Sequence, residues 1–209
     1  PITAEILKPF QKQGVGQAQF FANAVDTDTK GLDIVASYAA FVGEGRLSIT
    51  AAGNFTKTTV DTTNVPKGLA LKFAGGDLDA VRNTIFNREE RNRLEDALPH
   101  QKVSLSARYS VGPFSGLLRA TYFGSIKYRP TNPQNDETFG AKTLFDVDLA
   151  YQFAKNLTLS IGANNVFNTF PDKHKKTANY SKGRFPYSRR VTQFGMNGGF
   201  YYTRLQLQL

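Results

Sequence analysis

The chain has 209 residues, with 26 Lys and Arg against 17 Asp and Glu, a formal net charge of +9, no cysteine and two histidines. Without cysteine there can be no disulfide scaffold, thiolate zinc site or cysteine nucleophile, and two histidines make a histidine-rich metal centre a poor expectation. A hydrophobic content of 40% is too high for a disordered chain, yet no apolar run approaches the roughly 20 residues of a membrane-crossing helix.

Taken in chain order, the opening PITAEILKPF lacks the basic start, apolar stretch and cleavage site of an export signal, and the later features favour an internal piece of a longer chain. Gln17 to Thr29 is expected to extend the first strand or to belong to an eighth. Leu32 to Ala40 then alternates Leu32, Ile34, Ala36 and Tyr38 with Asp33, Val35, Ser37 and Ala39, the period of a strand. After the turn VGEG, Arg46 to Thr56 places Leu47, Ile49, Ala51, Gly53 and Phe55 on one side. A long loop is expected over 57–101. Within it, Gly76 to Leu98 is charged and helix-friendly, and reads as a short helix or irregular lid. Lys102 to Ser110 alternates again, as does Phe114 to Phe123 after the turn VGP. A second loop covers 124–141. Leu144 to Phe153 gives the clearest run, with Phe145, Val147, Leu149, Tyr151 and Phe153 opposite Asp146, Asp148, Ala150 and Gln152. The turn AKN leads to Leu157, Leu159, Ile161 and Ala163. A third loop spans 168–197, and FYYTRLQLQL closes the chain as a seventh strand, with Tyr201, Thr203, Leu205, Leu207 and Leu209 on one face.

Short turns and long loops alternate, as in an up-and-down meander with all short turns at one end. No apolar face carries a charge, whereas the opposite faces carry Asp33, Arg46, Lys102, Arg108, Arg119, Asp146, Asp148 and Arg204. Two architectures give this pattern: a soluble sandwich that buries the apolar face, or a transmembrane barrel that turns it to lipid. Strand length favours the barrel, because soluble strands average about 5–6 residues and bilayer-crossing ones need about 9–11. Aromatics support it by gathering at both strand ends: Tyr38, Phe41, Tyr109, Phe114, Tyr151 and Phe153 by the turns, Phe55, Tyr122, Phe145, Phe167 and Tyr201 by the loops.

The segments FFANAVDTDTKGLDIVASY (Phe20–Tyr38), GRLSITAAGNFTKT (Gly45–Thr58) and IFNREERNRLEDALPHQKVSLSARYS (Ile85–Ser110) resemble the C-terminal barrel portion of TonB-dependent outer-membrane receptors. So do TFGAKTLFDVDLAYQFAKNLTLSIGANNVFN (Thr138–Asn168) and FGMNGGFYYTRLQLQL (Phe194–Leu209). The resemblance covers nearly the whole chain. It implies an all-β fold, about seven or eight strands of a 22-stranded barrel in the outer membrane of a Gram-negative bacterium. It also implies uptake of a scarce nutrient of the ferric siderophore, vitamin B12 or carbohydrate class. Implied partners are outer-membrane lipid and lipopolysaccharide, the receptor's own plug, a small-molecule ligand and the TonB complex, reached through an N-terminal box. Residues 1–209 are then a single domain, with export signal, box and plug lying outside it. Family members usually end in an aromatic residue that the assembly machinery reads, and Leu209 departs from that.

Two residue groups are candidates for the site. Arg46, Arg108, Arg119, Asp146, Asp148 and Arg204 share the polar face and are expected to meet the plug or the ligand. The loop Asp172–Arg190 carries Lys173, Lys175, Lys176, Arg184, Arg189 and Arg190, interleaved with Tyr180, Phe185 and Tyr187. It is expected to attract lipopolysaccharide phosphates or an anionic ligand, or simply to be solvated; nucleic acid is not an expected partner. Asn164 and Asn165 read as the start of a turn. His100 and His174 read as solvated loop side chains. No nucleophile motif, cofactor cradle or metal cluster is legible, so no enzyme and no cofactor are expected. A passive channel and a soluble β-sandwich binding module are the alternatives.

Overall fold

The computed structural model describes residues 25–65 and 77–208, together with Lys8 and Lys12. Its strands are β1 (Val25–Val42), β2 (Gly45–Thr63), β3 (Gln101–Val111), β4 (Phe114–Phe123), β5 (Ile126–Tyr128), β6 (Glu137–Phe139), β7 (Lys142–Ala154), β8 (Leu157–Asn164) and β9 (Phe200–Leu207). Seven of them form one antiparallel sheet in the order β1-β2-β3-β4-β7-β8-β9, and β5 and β6 pair separately as a small hairpin in the second long loop. The meander is as expected. The sheet does not close on itself: β1 and β9 each have one neighbour among the described strands.

Several boundaries differ from the sequence reading. β1 begins at Val25 rather than Leu32, and β2 continues to Thr63, so the first loop starts later than residue 57. In TKTTVDTT both faces are polar, so alternation is silent there, but threonine and valine still suit a pleated strand. The part of Gln17–Thr29 before Val25 lies outside the described residues, as do Gly76 and Leu209. The single expected helix is two, α1 (Leu78–Ile85) and α2 (Arg88–Glu95).

The apolar face of the sheet is bare. Leu149, Ile161 and Leu205 are 60%, 53% and 67% exposed, whereas Asp148 and Ser160 on the other face are 8% and 6% exposed. From the short turn up to Leu32 and Phe55, β1 and β2 keep this uncharged outer surface for 11 paired residues each, close to the roughly 9–11 that a tilted strand needs to cross a bilayer. Above that level the two strands run on as a polar ribbon, held by a Thr29–Thr58 hydroxyl bond of 2.9 Å and an Asn64–Asp26 bond of 2.9 Å. Phe41 is a correction to the aromatic band, because it registers with Arg46 and so shares the polar face. At the β1–β2 turn, Gly43 takes φ +58°, which a side chain would resist.

The buried apolar core lies beyond the sheet, among the long loops. Ala97, Ile126, Tyr128, Phe139 and Val191 pack together there, drawing the three loops into one cap. Helices of eight residues are marginal alone, and each has a side-chain cap: Asp77 accepts from the N–H groups of Asp79 and Ala80, and Asn87 from those of Glu89 and Glu90. Helix α2 also covers the upper edge of β2, where β3 no longer reaches. There the Val60 N–H donates to Glu95 at 2.8 Å, and Arg91 donates to the Val60 carbonyl at 2.6 Å.

Candidate functional site

The polar face of the sheet carries the first group of candidates. Register places Arg119 between Ser106 and Asp146, Arg108 between Ser48 and Leu117, and Arg46 opposite Phe41 and Ser110. All three guanidinium groups are exposed and make no ion pair among the described residues. Asp148 and Arg204 do come together, at 3.6 Å, and the Tyr202 hydroxyl donates to the same carboxylate at 2.7 Å. The Tyr202 ring reaches it by lying across Gly162, where a Cβ would collide with the ring and with the Val147 carbonyl. Asp146 instead accepts from the Asn165 N–H at 2.9 Å. Asn165 has φ +51°, and its amide bonds both the N–H and the carbonyl of Thr169, so this asparagine builds a turn. The two aspartates therefore have separate partners rather than a shared proton or ion.

The second group lies in the cap, where the basic loop is folded back onto the other two. Lys173 sits over the Tyr187 ring at 5.7 Å, the Lys176 ammonium bonds the Gln134 and Asp136 carbonyls, and Arg189 donates to Ser181 at 3.1 Å. Arg190 bridges to Glu89 at 3.0 Å and lies 3.7 Å from Glu90, at the first turn of α2. The side chains of Lys175, Lys182 and Arg184 stay exposed with no ion pair among the described residues.

Sequence reasoning missed the charged ties between loops. Arg88 makes a two-pronged pair with Asp136, at 2.7 and 2.6 Å, and also donates to the Pro130 carbonyl. That pair lowers the Asp136 carboxyl and raises the Arg88 guanidinium from their ordinary values. Asp172 accepts from Lys142 and from the Gly140 N–H, both at 2.6 Å. Burial raises its pKa, but these two bonds outweigh it and leave the carboxyl below its usual range. Gln193 closes the neck of the second loop by donating to the carbonyls of both Gly124 and Gly140.

His174 is a further correction: it is 4% exposed, not solvated, and pairs with Glu137. His100 is half-buried, bonded to the Glu95 carbonyl at 2.6 Å. The sequence signal for the cap's apolar core was apolar residues in otherwise polar loops, Ile126 and Tyr128 in one strand and Phe139 in the next.

Between hairpin β5–β6, the start of α2 and the basic loop lies a cleft of about 500 Å³, walled by Glu89, Tyr128, Asn179, Tyr180, Tyr187 and Arg190. Burial, then the nearby Glu89 charge, raises the Tyr128 hydroxyl above its ordinary value, so it stays a hydrogen-bond donor. Phenol edges, amides and a guanidinium in one recess suit a polar, oxygen-rich small molecule. No group of side chains among the described residues has metal-ligand geometry.

The family model for the TonB dependent receptor-like β-barrel matches residues 6–166. No curated protein matches the chain. Among solved structures, the FpvAI–pyocin S2 complex aligns at 14% identity over 87% of this chain and 19% of that one, with a TM-score of 0.51. Pseudomonas aeruginosa FpvA bound to a heterologous ferric pyoverdine aligns at 14% identity over 87% of this chain and 20% of that one, with a TM-score of 0.50. The siderophore receptor PiuA from Acinetobacter baumannii aligns at 13% identity over 88% and 22%, with a TM-score of 0.49. The chain thus spans about a fifth of the length of the structures it resembles.

Proposed function

This chain belongs to the TonB dependent receptor-like β-barrel family, and from that premise we propose that it forms the C-terminal part of a barrel that imports a scarce nutrient across a Gram-negative outer membrane. The observation that carries this reading is the inversion of the sheet. Its apolar surface is bare over a bilayer-crossing length, and its charged surface faces the side where a wet lumen would lie. The nutrient is of the ferric siderophore, vitamin B12 or carbohydrate class, and the cap with its cleft receives it on the outer side. Arg46, Arg108, Arg119 and Arg204, with Asp146 and Asp148, contact the plug or the passing ligand. Lys175, Lys182 and Arg184 attract anionic ligand or lipopolysaccharide phosphate, because the other cations of that loop are engaged within the cap. Energy comes from the TonB complex.

The test is uptake of a labelled ferric siderophore panel, cobalamin and oligosaccharides by cells with and without the full-length protein. The reading expects saturable uptake of one class that stops when a protonophore collapses the inner-membrane gradient. Non-saturable flux that survives the protonophore would instead identify a passive channel. Recovery of the full-length protein in the soluble fraction would identify a β-sandwich module.

A further inference from the structure

One carboxylate gathers more bonds across the cap than any other described acid. Glu137, on β6, accepts from four donors of the basic loop: the His174 ring Nδ1 at 2.5 Å, the N–H groups of Lys175 and Lys176 at 2.6 and 2.8 Å, and the Asn179 amide at 2.8 Å. The side chains of Glu137 and His174 are 6% and 2% exposed. The imidazole lies edge-on against Tyr128 and Phe139, with ring centroids 4.9 and 5.3 Å away, and the His174 backbone N–H donates to the Pro186 carbonyl at 2.7 Å. Donors and acceptor thus sit on two different loops, joined at one point.

We propose that Glu137 and His174 form an acid-released latch, in which protonation of Glu137 frees segment 173–180 from hairpin β5–β6 and opens the cleft over Tyr128 while the sheet stays paired. The chemistry is that of donor count. A carboxylate accepts with both oxygens, but a carboxylic acid brings an O–H among three groups that only donate, the Lys175 and Lys176 N–H and the Asn179 NH2, and an imidazole that can accept only by giving up its own Nδ1 proton. The loss is large because the site is dry, and any charge on the His174 ring then has no counter-charge.

The surrounding charges are engaged with other partners. From the loop, the Lys176 ammonium is held by the Gln134 and Asp136 carbonyls beside the site, while the Lys175 side chain is exposed. From α2, Glu89 is already engaged by Arg190. Beside Glu137, Asp136 is held by Arg88 and Arg129. From β5 comes the Tyr128 phenol. Asp172, at the start of the same loop, is tied separately to Lys142 and Gly140.

Burial raises the Glu137 carboxyl, but the bonds from Asn179, His174, Lys176 and Lys175 outweigh it and hold the group below its ordinary range. The latch therefore contributes fully above the unfolded value, about 4.3, and is lost as pH falls through the depressed folded value. That places the release in acid external medium, not at neutral pH.

Hydrogen exchange of the full-length protein in detergent, followed by mass spectrometry from pH 7 to pH 3 and corrected for intrinsic rates, tests this. In the wild type, protection of segment 173–180 should drop at least about tenfold in acid, while β7 and β8 keep theirs. In Glu137→Gln the segment should be open already at pH 7 and show no further acid response. Asn179→Ala, which removes one bond and keeps the carboxylate, should be latched at pH 7 and open at a less acid pH than the wild type. An acid response of normal size in Glu137→Gln, an unchanged midpoint in Asn179→Ala, or loss of β7 and β8 protection together with the segment would each overturn the latch.

Discussion

The seven-stranded sheet and the loop cap come from one chain and bury opposite things. In the sheet, the large apolar residues Leu149, Ile161 and Leu205 are open and Asp148 is covered; in the cap, Ile126, Phe139 and Val191 are covered and Lys173, Lys175 and Lys176 are open. The difference is one of solvent. A surface that faces hydrocarbon gains nothing from hiding its apolar side chains, and must satisfy its backbone within the sheet. A structure in water gains about 25 cal/mol for each Å² of apolar area that it hides. Ordinary rules of burial therefore hold only above the level of Lys30 and Lys57, where β1 and β2 become polar on both faces.

Five substitutions sharpen that contrast. Phe139→Ala removes a buried aromatic ring through which the hairpin packs on His174 of the basic loop, and should cost the cap about 3–5 kcal/mol. Limited proteolysis would then cut within 126–139 and 172–193 and leave the strands intact. Cleavage at β7 or β8 would mean that cap and sheet are one cooperative unit.

Ile161→Arg puts a charge on the outer face near mid-strand and should cost about 2–4 kcal/mol in lipid vesicles, measured by urea unfolding. Thr121→Arg, on the polar face, should stay within about 0.5 kcal/mol. Equal costs at the two sites would remove the distinction between the faces. Asn87→Ala deletes the α2 cap and should cost about 1 kcal/mol, visible as faster exchange over 88–95 alone. Tyr202→Phe takes one donor from Asp148 and should cost the sheet about 0.5–1.5 kcal/mol in the same unfolding assay, with the cap unchanged.

The seven strands of the sheet were legible because each carries its own periodicity, as in LFDVDLAYQF, and needs no distant partner to be recognised. The upper part of β2 was not, since TKTTVDTT has no apolar face to alternate. The cap was legible in its loop lengths and in the helical stretch of the first loop, but not in its hairpin: β5 and β6 have three residues each, too few for any period. Its ties join residues far apart in sequence, Arg88 with Asp136 and Glu137 with His174, and nothing local to a lone histidine in a lysine-rich loop marks it as buried. The polar-face arginines were placed by parity alone. Of these candidates, the structure pairs Arg204 with Asp148 and sets Arg119 beside Asp146 in register.

This chain has no cysteine of its own, so single labels within it are specific once any cysteine elsewhere in the full-length protein is replaced. Nitroxides placed singly at Leu149, Ile161, Leu205, Ser106, Asp148 and Ser160 of the full-length protein in liposomes can be read for collision with oxygen, which enriches in lipid, and with a water-soluble nickel chelate. An apolar surface turned to hydrocarbon predicts high oxygen and low nickel collision at the first three sites, and low oxygen collision at the last three. Low oxygen collision at Leu149, Ile161 and Leu205, as in a packed dry interior, would contradict it.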